Sequence, residues 1–358
     1  MPTVGLIGTR GLPNTHGGFE RFIELLVQDD RWAATDIRFV VYGEGEEGPY
    51  NAWTSQRNLG FTKDSRKLGF YFRSAMLATK ECDIVLCCSV PLSIFSYWPR
   101  LHGKPLIMNP DGCEWRRTKW SAAGRLAIAA MYVPAMAAAH RVVIDAEALR
   151  EDFHLGKKAV YIPYSAPEPI VHPLRQTTRE RLGIDRPYML LIARLEPENN
   201  VALAVKAFHA LGDRGVDLIV VGNTGTRHYK DDLATMDGGP IRFVGGVYNQ
   251  PMLDELRSGC VAYFHGHSVG GTNPSLLEAL SAVTGVILCH DNKYNREVAG
   301  EHAEYYSTPA TLSDRMADLV LNLPSAGQAR QPERDARFHP ATIFTRYLEL
   351  FREVLKRR

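Results

Sequence analysis

Two segments in the second half of the chain carry residue types suited to gripping an anion. The run Tyr188-Met189-Leu190-Leu191-Ile192-Ala193 reads as a strand and leads straight into Arg194-Leu195-Glu196-Pro197-Glu198-Asn199-Asn200. An arginine at the carboxyl end of a parallel strand stands where open α/β sheets take ligands, and its planar fork suits a diphosphate. The alternative is a surface Arg194 paired with Glu196 or Glu198. The second segment is His265-Gly266-His267-Ser268-Val269-Gly270-Gly271-Thr272-Asn273-Pro274-Ser275-Leu276-Leu277-Glu278-Ala279-Leu280. It reads as a strand, a glycine-rich loop, then a helix capped by Thr272 or Asn273 with Pro274 in its first turn. Such a loop offers free N–H groups to an anion. Glu278, one turn into the helix, is placed to accept hydrogen bonds from sugar or ribose hydroxyls, or simply to complement the helix dipole. His265 and His267 lack the spacing of a zinc site and read as loop packing or a substrate contact.

The first half holds weaker signals. Strand Thr3–Gly8 runs into Gly8-Thr9-Arg10-Gly11-Leu12-Pro13 and then His16-Gly17-Gly18-Phe19-Glu20 ahead of an apolar helix. Glycines there let backbone amides approach a phosphate or sugar, or form a plain tight turn. Glycines 5, 8 and 11 are three apart, which is not the dinucleotide-binding spacing and argues against a dehydrogenase. Asp111, in Asn109-Pro110-Asp111-Gly112, either bonds an acceptor hydroxyl, stabilises positive charge on a reacting sugar ring, or caps a turn with Gly112. Trp115, Arg116, Arg117, Lys119 and Trp120 interleave aromatics with cations, as do Arg66, Lys67, Phe70, Tyr71, Phe72 and Arg73. With the apolar run 126–139 they suggest a face that lies on a membrane surface; two half-buried helices with solvated basic edges would look the same.

These residues need a scaffold, and the hydrophobic pattern supplies one. Continuous apolar runs at Ile37–Gly43, Asp83–Cys88, Pro105–Met108, Arg141–Asp145 and Ala159–Ile162 join the first strand. The pattern restarts at Tyr188–Ala193, Asp217–Gly222, Ile241–Val244, Val261–His265 and Val286–Cys289. Runs without alternation mean strands covered on both faces, and strand–helix alternation means parallel, doubly wound α/β sheets. The segment 163–175, with four prolines, divides the series. The expected domains are therefore 1–165 and 176–335, with the helical stretch 339–358 packing back on the first.

Bulk composition narrows the class. The chain has 358 residues, 45% hydrophobic and 23% charged, and a formal net charge of +2, which gives no reason to expect nucleic acid. Six cysteines without paired Cys-x-x-Cys motifs read as buried reduced thiols and point to the cytoplasm. The N-terminus does not resemble a signal peptide, and the run 126–139, broken by Pro134, is too short to span a bilayer. No Asp-x-Asp pair exists to carry a divalent ion on a diphosphate. No metal is expected.

The segments 8–20, 109–120, 193–200 and 265–280 together resemble a known family. The whole chain looks like a retaining glycosyltransferase of the GT-B fold, family-4 type. More narrowly, it is similar to the bacterial rhamnosyltransferase-like subgroup of capsule and cell-wall polysaccharide synthesis. That resemblance implies two facing Rossmann-like domains with an interdomain cleft, the first taking the acceptor and the second the nucleotide-sugar. It implies a hexosyltransferase with no cofactor beyond its co-substrate. That donor would be dTDP-L-rhamnose, with UDP- and GDP-sugars as alternatives, and the acceptor a lipid-linked saccharide. The enzyme would lie in the cytoplasm, peripheral at the inner face of the plasma membrane. By the same resemblance Gly17, Gly18, Arg194, Asn199, Gly270, Gly271, Thr272, Asn273 and Glu278 bind the donor, with Arg194 and Asp111 catalytic. Two positions depart from the broader family: Gly270 stands where it has the first Glu of a Glu-x7-Glu pair, and Asn199 where a Lys is common. The rival readings are a sugar-nucleotide 2-epimerase of the same fold and a catalytically silent partner protein.

Overall fold

The structure, a computed structural model, describes residues 1–13, 18–88, 95, 97–110, 112–117, 120–223, 233, 236–323 and 330–356. Asp111, Gly17 and Lys119 lie outside the described residues. The chain forms two compact units, Met1–Ser165 with Pro340–Arg358, and Ala166–His339.

The first unit is built on an eight-stranded sheet: β1 (Thr3–Ile7), β2 (Arg38–Gly43), β3 (Gly48–Asn51), β4 (Thr54–Asn58), β5 (Ile84–Cys88), β6 (Leu106–Asn109), β7 (Arg141–Ile144) and β8 (Ala159–Tyr161). Its order is β3-β4-β2-β1-β5-β6-β7-β8. All neighbours are parallel except β3, which runs antiparallel to β4. The second unit has β9 (Tyr188–Ile192), β10 (Asp217–Val221), β11 (Ile241–Gly245), β12 (Ala262–His265), β13 (Val286–His290) and β14 (Glu304–Tyr306). The order there is β11-β10-β9-β12-β13-β14, and every pairing is parallel.

Every strand expected from apolar runs is present to within two residues. The missed strands lack such runs. Strand β4 is Thr-Ser-Gln-Arg-Asn, and β3 is an edge strand bearing Pro49, where a missing donor costs no ladder bond. Strand β14 has three residues at the other sheet's edge.

The six cysteines are free and buried. The terminal helix Pro340–Leu355 belongs to the first unit, where Phe344 and Phe351 meet Trp32 and Tyr347 meets Phe22. It buries Ile343, Tyr347, Leu350, Phe351 and Val354, roughly 1.5–3 kcal/mol of apolar transfer each. Among the described residues no helix is long and apolar enough to cross a membrane.

In the second unit β9, β10 and β11 build the sheet one way, and β12, β13 and β14 the other. The reversal falls between β9 and β12. That is the switch point outside whose carboxyl ends open α/β sheets form a crevice.

Candidate functional site

Both segments that the sequence singles out leave the sheet at this switch point, Arg194 after β9 and the glycine-rich loop after β12. Side-chain to backbone bonds tie them together. Asn200 Nδ2 donates to the Gly266 carbonyl at 2.7 Å, and Ser268 donates to the Glu198 carbonyl from its N–H at 3.0 Å and its Oγ at 2.9 Å. Contact is tight: a Cβ on Gly266 would stand 2.1 Å from the Asn199 carbonyl oxygen. Only glycine fits there.

Arg194 projects outward, its side chain 64% exposed and its nearest carboxylate, Glu196, 3.8 Å away. At that distance and exposure the pair is worth little, so the guanidinium is open to a ligand. Asn199 is placed differently. It is buried, and its Nδ2 donates to the Arg194 carbonyl at 2.7 Å. The structure therefore uses Asn199 to shape the turn that presents Arg194, rather than displaying its amide to solvent.

The helix Pro274–Ala282 begins where the sequence places it. Asn273 is the cap, its side chain accepting from the Ser275 N–H at 2.9 Å, and Pro274 stands in the first turn. Leu276, Leu277 and Leu280 anchor the helix in the core. Gly270 sits at φ +130 with open space where a Cβ would be, so the loop is shaped by a conformation that L side chains rarely adopt. Gly271 is half-buried and Thr272 buried. Glu278 is not a lone carboxylate: its Oε2 accepts from Nη2 of Arg257, a wholly buried arginine on the helix Gln250–Gly259. The sequence offered no sign of Arg257, which looks like a solvated helical cation.

His265 is buried, and both ring nitrogens lie without a hydrogen-bond partner. Its ring stacks on that of His267 at 4.5 Å between centroids. Burial, and secondarily His290, pushes its pKa down to about 3. The imidazole is thus neutral at physiological pH. In the unfolded chain it titrates near 6.5, so the unfolded state takes up the proton first. Its contribution to stability is complete above about pH 6.5 and is lost as pH falls towards about 3. His265→Phe should therefore remove ~3 kcal/mol of the stability lost between pH 7 and pH 4, read from denaturant midpoints. Identical pH slopes in the two proteins would refute this assignment.

In the first unit, Gly18 opens the helix Gly18–Gln28. The loop after β1 is held by Arg10, whose guanidinium bonds Glu44 and Asp64 and whose N–H donates to Glu20. Lys63, another residue the sequence did not single out, donates from Nζ to the Gly8 carbonyl at 2.7 Å, and burial lowers its pKa.

The stretch 115–120, one part of the face expected on a membrane, makes the following contacts among its described residues. Trp115 packs on Tyr132 and Phe153 at 4.4 and 5.4 Å. Arg116 pairs with Asp152, Arg117 with Glu114, and Trp120 donates from Nε1 to Glu114. Aromatic packing and local ion pairs hold this stretch to its own unit. Trp120 remains 39% exposed, and further exposed apolar residues of the first unit lie on the helices Lys67–Glu81, Tyr97–Leu101 and Ala122–Ala138, which include most of the runs 66–73 and 126–139 expected on the same face. These exposed residues include Leu68 (61% exposed), Leu101 (76%), Leu126 (73%) and Val133 (72%).

Residues 175–335 match the family model described as Glycosyl transferases group 1. No curated protein matches the chain in sequence. Solved structures match its fold over nearly its whole length. Sucrose-phosphate synthase from Thermosynechococcus elongatus is 12% identical with a TM-score of 0.77, covering 100% of both chains. Anabaena HepE in complex with UDP-glucose is 15% identical with a TM-score of 0.74, covering 98% of this chain and 99% of that one. An α,α-trehalose-phosphate synthase (UDP-forming) from Burkholderia xenovorans, in complex with glucose-6-phosphate, is 11% identical. Its TM-score is 0.72, over 99% and 100% of the two chains.

Proposed function

We infer that the chain, of GT-B fold and a transferase, carries a glycosyl transferases group 1 domain over the matched residues 175–335. From that premise, we propose that the protein moves L-rhamnose from dTDP-L-rhamnose onto a lipid-linked saccharide in polysaccharide synthesis, with retention of configuration. One observation carries the reading. An exposed arginine and a glycine-rich loop ahead of a capped helix are tied together at the carboxyl ends of β9 and β12. That is a grip for a diphosphate. Arg194, the loop amides and the N-terminus of helix Pro274–Ala282 supply the positive charge that a divalent ion would otherwise provide.

In this scheme the bond from the sugar's anomeric carbon to the diphosphate oxygen breaks first, through an oxocarbenium-like state. The acceptor hydroxyl oxygen forms its bond on the same face. Its proton passes to the departing phosphate oxygen, so nucleoside diphosphate leaves and no covalent enzyme intermediate forms. Asp111 is assigned to the acceptor hydroxyl or the cationic ring, and Gly17 and Gly18 to the donor from the first unit. A UDP-sugar is the second donor reading, favoured by the UDP-glucose bound to HepE.

The acceptor side is read from the first unit's surface. Helices Lys67–Glu81, Tyr97–Leu101 and Ala122–Ala138 present the exposed apolar residues together with Lys67, Arg73, Lys80, Arg100 and Arg125. Their one carboxylate, Glu81, is paired with Arg57. Apolar residues among cations suit an anionic lipid surface. The enzyme is then peripheral, at the cytoplasmic face of the membrane.

The test is nucleotide release from a panel of sugar nucleotides, on anionic or neutral vesicles carrying lipid-linked saccharide. Release is expected from dTDP-L-rhamnose, only with acceptor, faster on anionic vesicles and unchanged by chelator. Release without acceptor would favour the epimerase, and no release from any donor the silent partner. Preference for a UDP-sugar would correct the donor.

A further inference from the structure

Glu196 carries a buried carboxylate that the proposed chemistry leaves idle. The residue is 8% exposed, and its Oε2 is wholly covered, with no hydrogen-bond partner among the described residues. It stands at the cap of the short turn Pro197–Asn199, yet its side chain makes no capping bond. Among the described residues its charged partner is Arg194, 3.8 Å away and largely solvated. An unpaired buried charge is costly, so a purely structural account leaves Glu196 unexplained. The backbone fixes it in place. Its N–H donates to the Arg194 carbonyl at 2.7 Å, and its carbonyl accepts from the Asn199 N–H at 3.0 Å. The carboxylate is therefore held still, while the solvated guanidinium beside it can reorient.

A fixed negative charge beside an anion grip acts twice on whatever the grip holds. It competes for Arg194, and it repels the ligand itself, with less screening than a surface charge would suffer. The repulsion grows with the ligand's own charge. In a sugar nucleotide the phosphate bound to the sugar carries about one negative charge. After transfer, once the acceptor's proton has passed on to water, the terminal phosphate carries about −1.5 to −2. Resting on the proposed diphosphate grip at Arg194, we infer that Glu196 discriminates product from donor: it weakens the hold on the free nucleoside diphosphate more than on the sugar nucleotide, and so hastens product release.

Calorimetric titration of the whole chain with dTDP and dTDP-L-rhamnose, and with UDP and UDP-glucose, tests this. Glu196→Gln keeps the shape and removes the charge. It should bind the free diphosphate at least about 5-fold more tightly, and the matching sugar nucleotide no more than about 2-fold more tightly. In steady-state kinetics the inhibition constant of the diphosphate should fall by the same factor. Glu196→Asp keeps the charge and should hold the ratio of the two affinities within about 2-fold of native. Loss of packing alone would weaken both ligands together and leave their ratio unmoved. Glu196→Met, uncharged and of similar length, gives the same readout should the glutamine variant fail to fold.

A ratio unmoved in a folded uncharged variant, or both ligands weakened alike, overturns the inference and leaves the grip standing. If Arg194→Ala binds each diphosphate as tightly as the native protein, or the native protein binds none, the grip itself fails and takes the inference with it.

Discussion

Arg194→Ala should lower kcat/KM at least ~100-fold while leaving the denaturation midpoint almost unchanged. Activity falls because the variant loses a charged donor aimed at a developing negative charge. The midpoint holds because of geometry. The guanidinium is largely solvated, and the carboxylate paired with it among the described residues is 3.8 Å away, so truncating it breaks no buried ion pair. The turn beneath it stays closed by Asn199, which donates to the Arg194 carbonyl whatever side chain stands at 194. Arg194→Lys should fall between the two, since it keeps the charge but loses the two-pronged contact with the diphosphate. Steady-state kinetics and a denaturant melt on the same preparations decide it. A near-normal rate would remove Arg194 from the chemistry.

Glu278→Ala behaves in the opposite manner, and its first effect is on folding. Removing this carboxylate leaves the Arg257 guanidinium buried with Asp254 as its remaining partner. Breaking a buried pair from one side costs about 3–5 kcal/mol, and Asp254 keeps the loss near ~3 kcal/mol. Turnover also falls at least ~100-fold. Arg257→Met is milder, because Asp254 and Glu278 are each about one-fifth exposed and regain water. The double variant Glu278→Ala with Arg257→Met should recover most of the lost stability, since neither charge is then left stranded. Chemical denaturation measures all three. A midpoint in Glu278→Ala equal to that of the native protein would show that Arg257 draws nothing from Glu278.

The contrast between these two residues shows how far a sequence reaches. Both were legible as candidates, because each sits in a local pattern: strand then arginine, glycine-rich loop then capped helix. Which of them also supports the fold was not legible. Arg257 lies 21 residues from Glu278 and on another helix. Asn199 gave the same difficulty. The family resemblance put it among the donor-binding residues, and in the structure its amide donates to the Arg194 carbonyl in the turn. Strands β3 and β4 escaped notice because their residues are largely polar, and what makes them strands is pairing, β4 with β2 and β3 with β4.

By itself the sequence determined the α/β class, the strands of the two sheets that carry apolar runs, the proline-rich divide, and the loop-and-cap start of the helix bearing Glu278. All of these are set by neighbours within a few residues: apolar periodicity, cap chemistry, glycine's freedom at φ > 0. Tertiary structure alone decided the strand order that brings β9 beside β12, the burial of Arg257 against Glu278, and the neutral state of His265. Each depends on which surfaces meet, and burial, ion pairing and proton affinity are properties of that meeting.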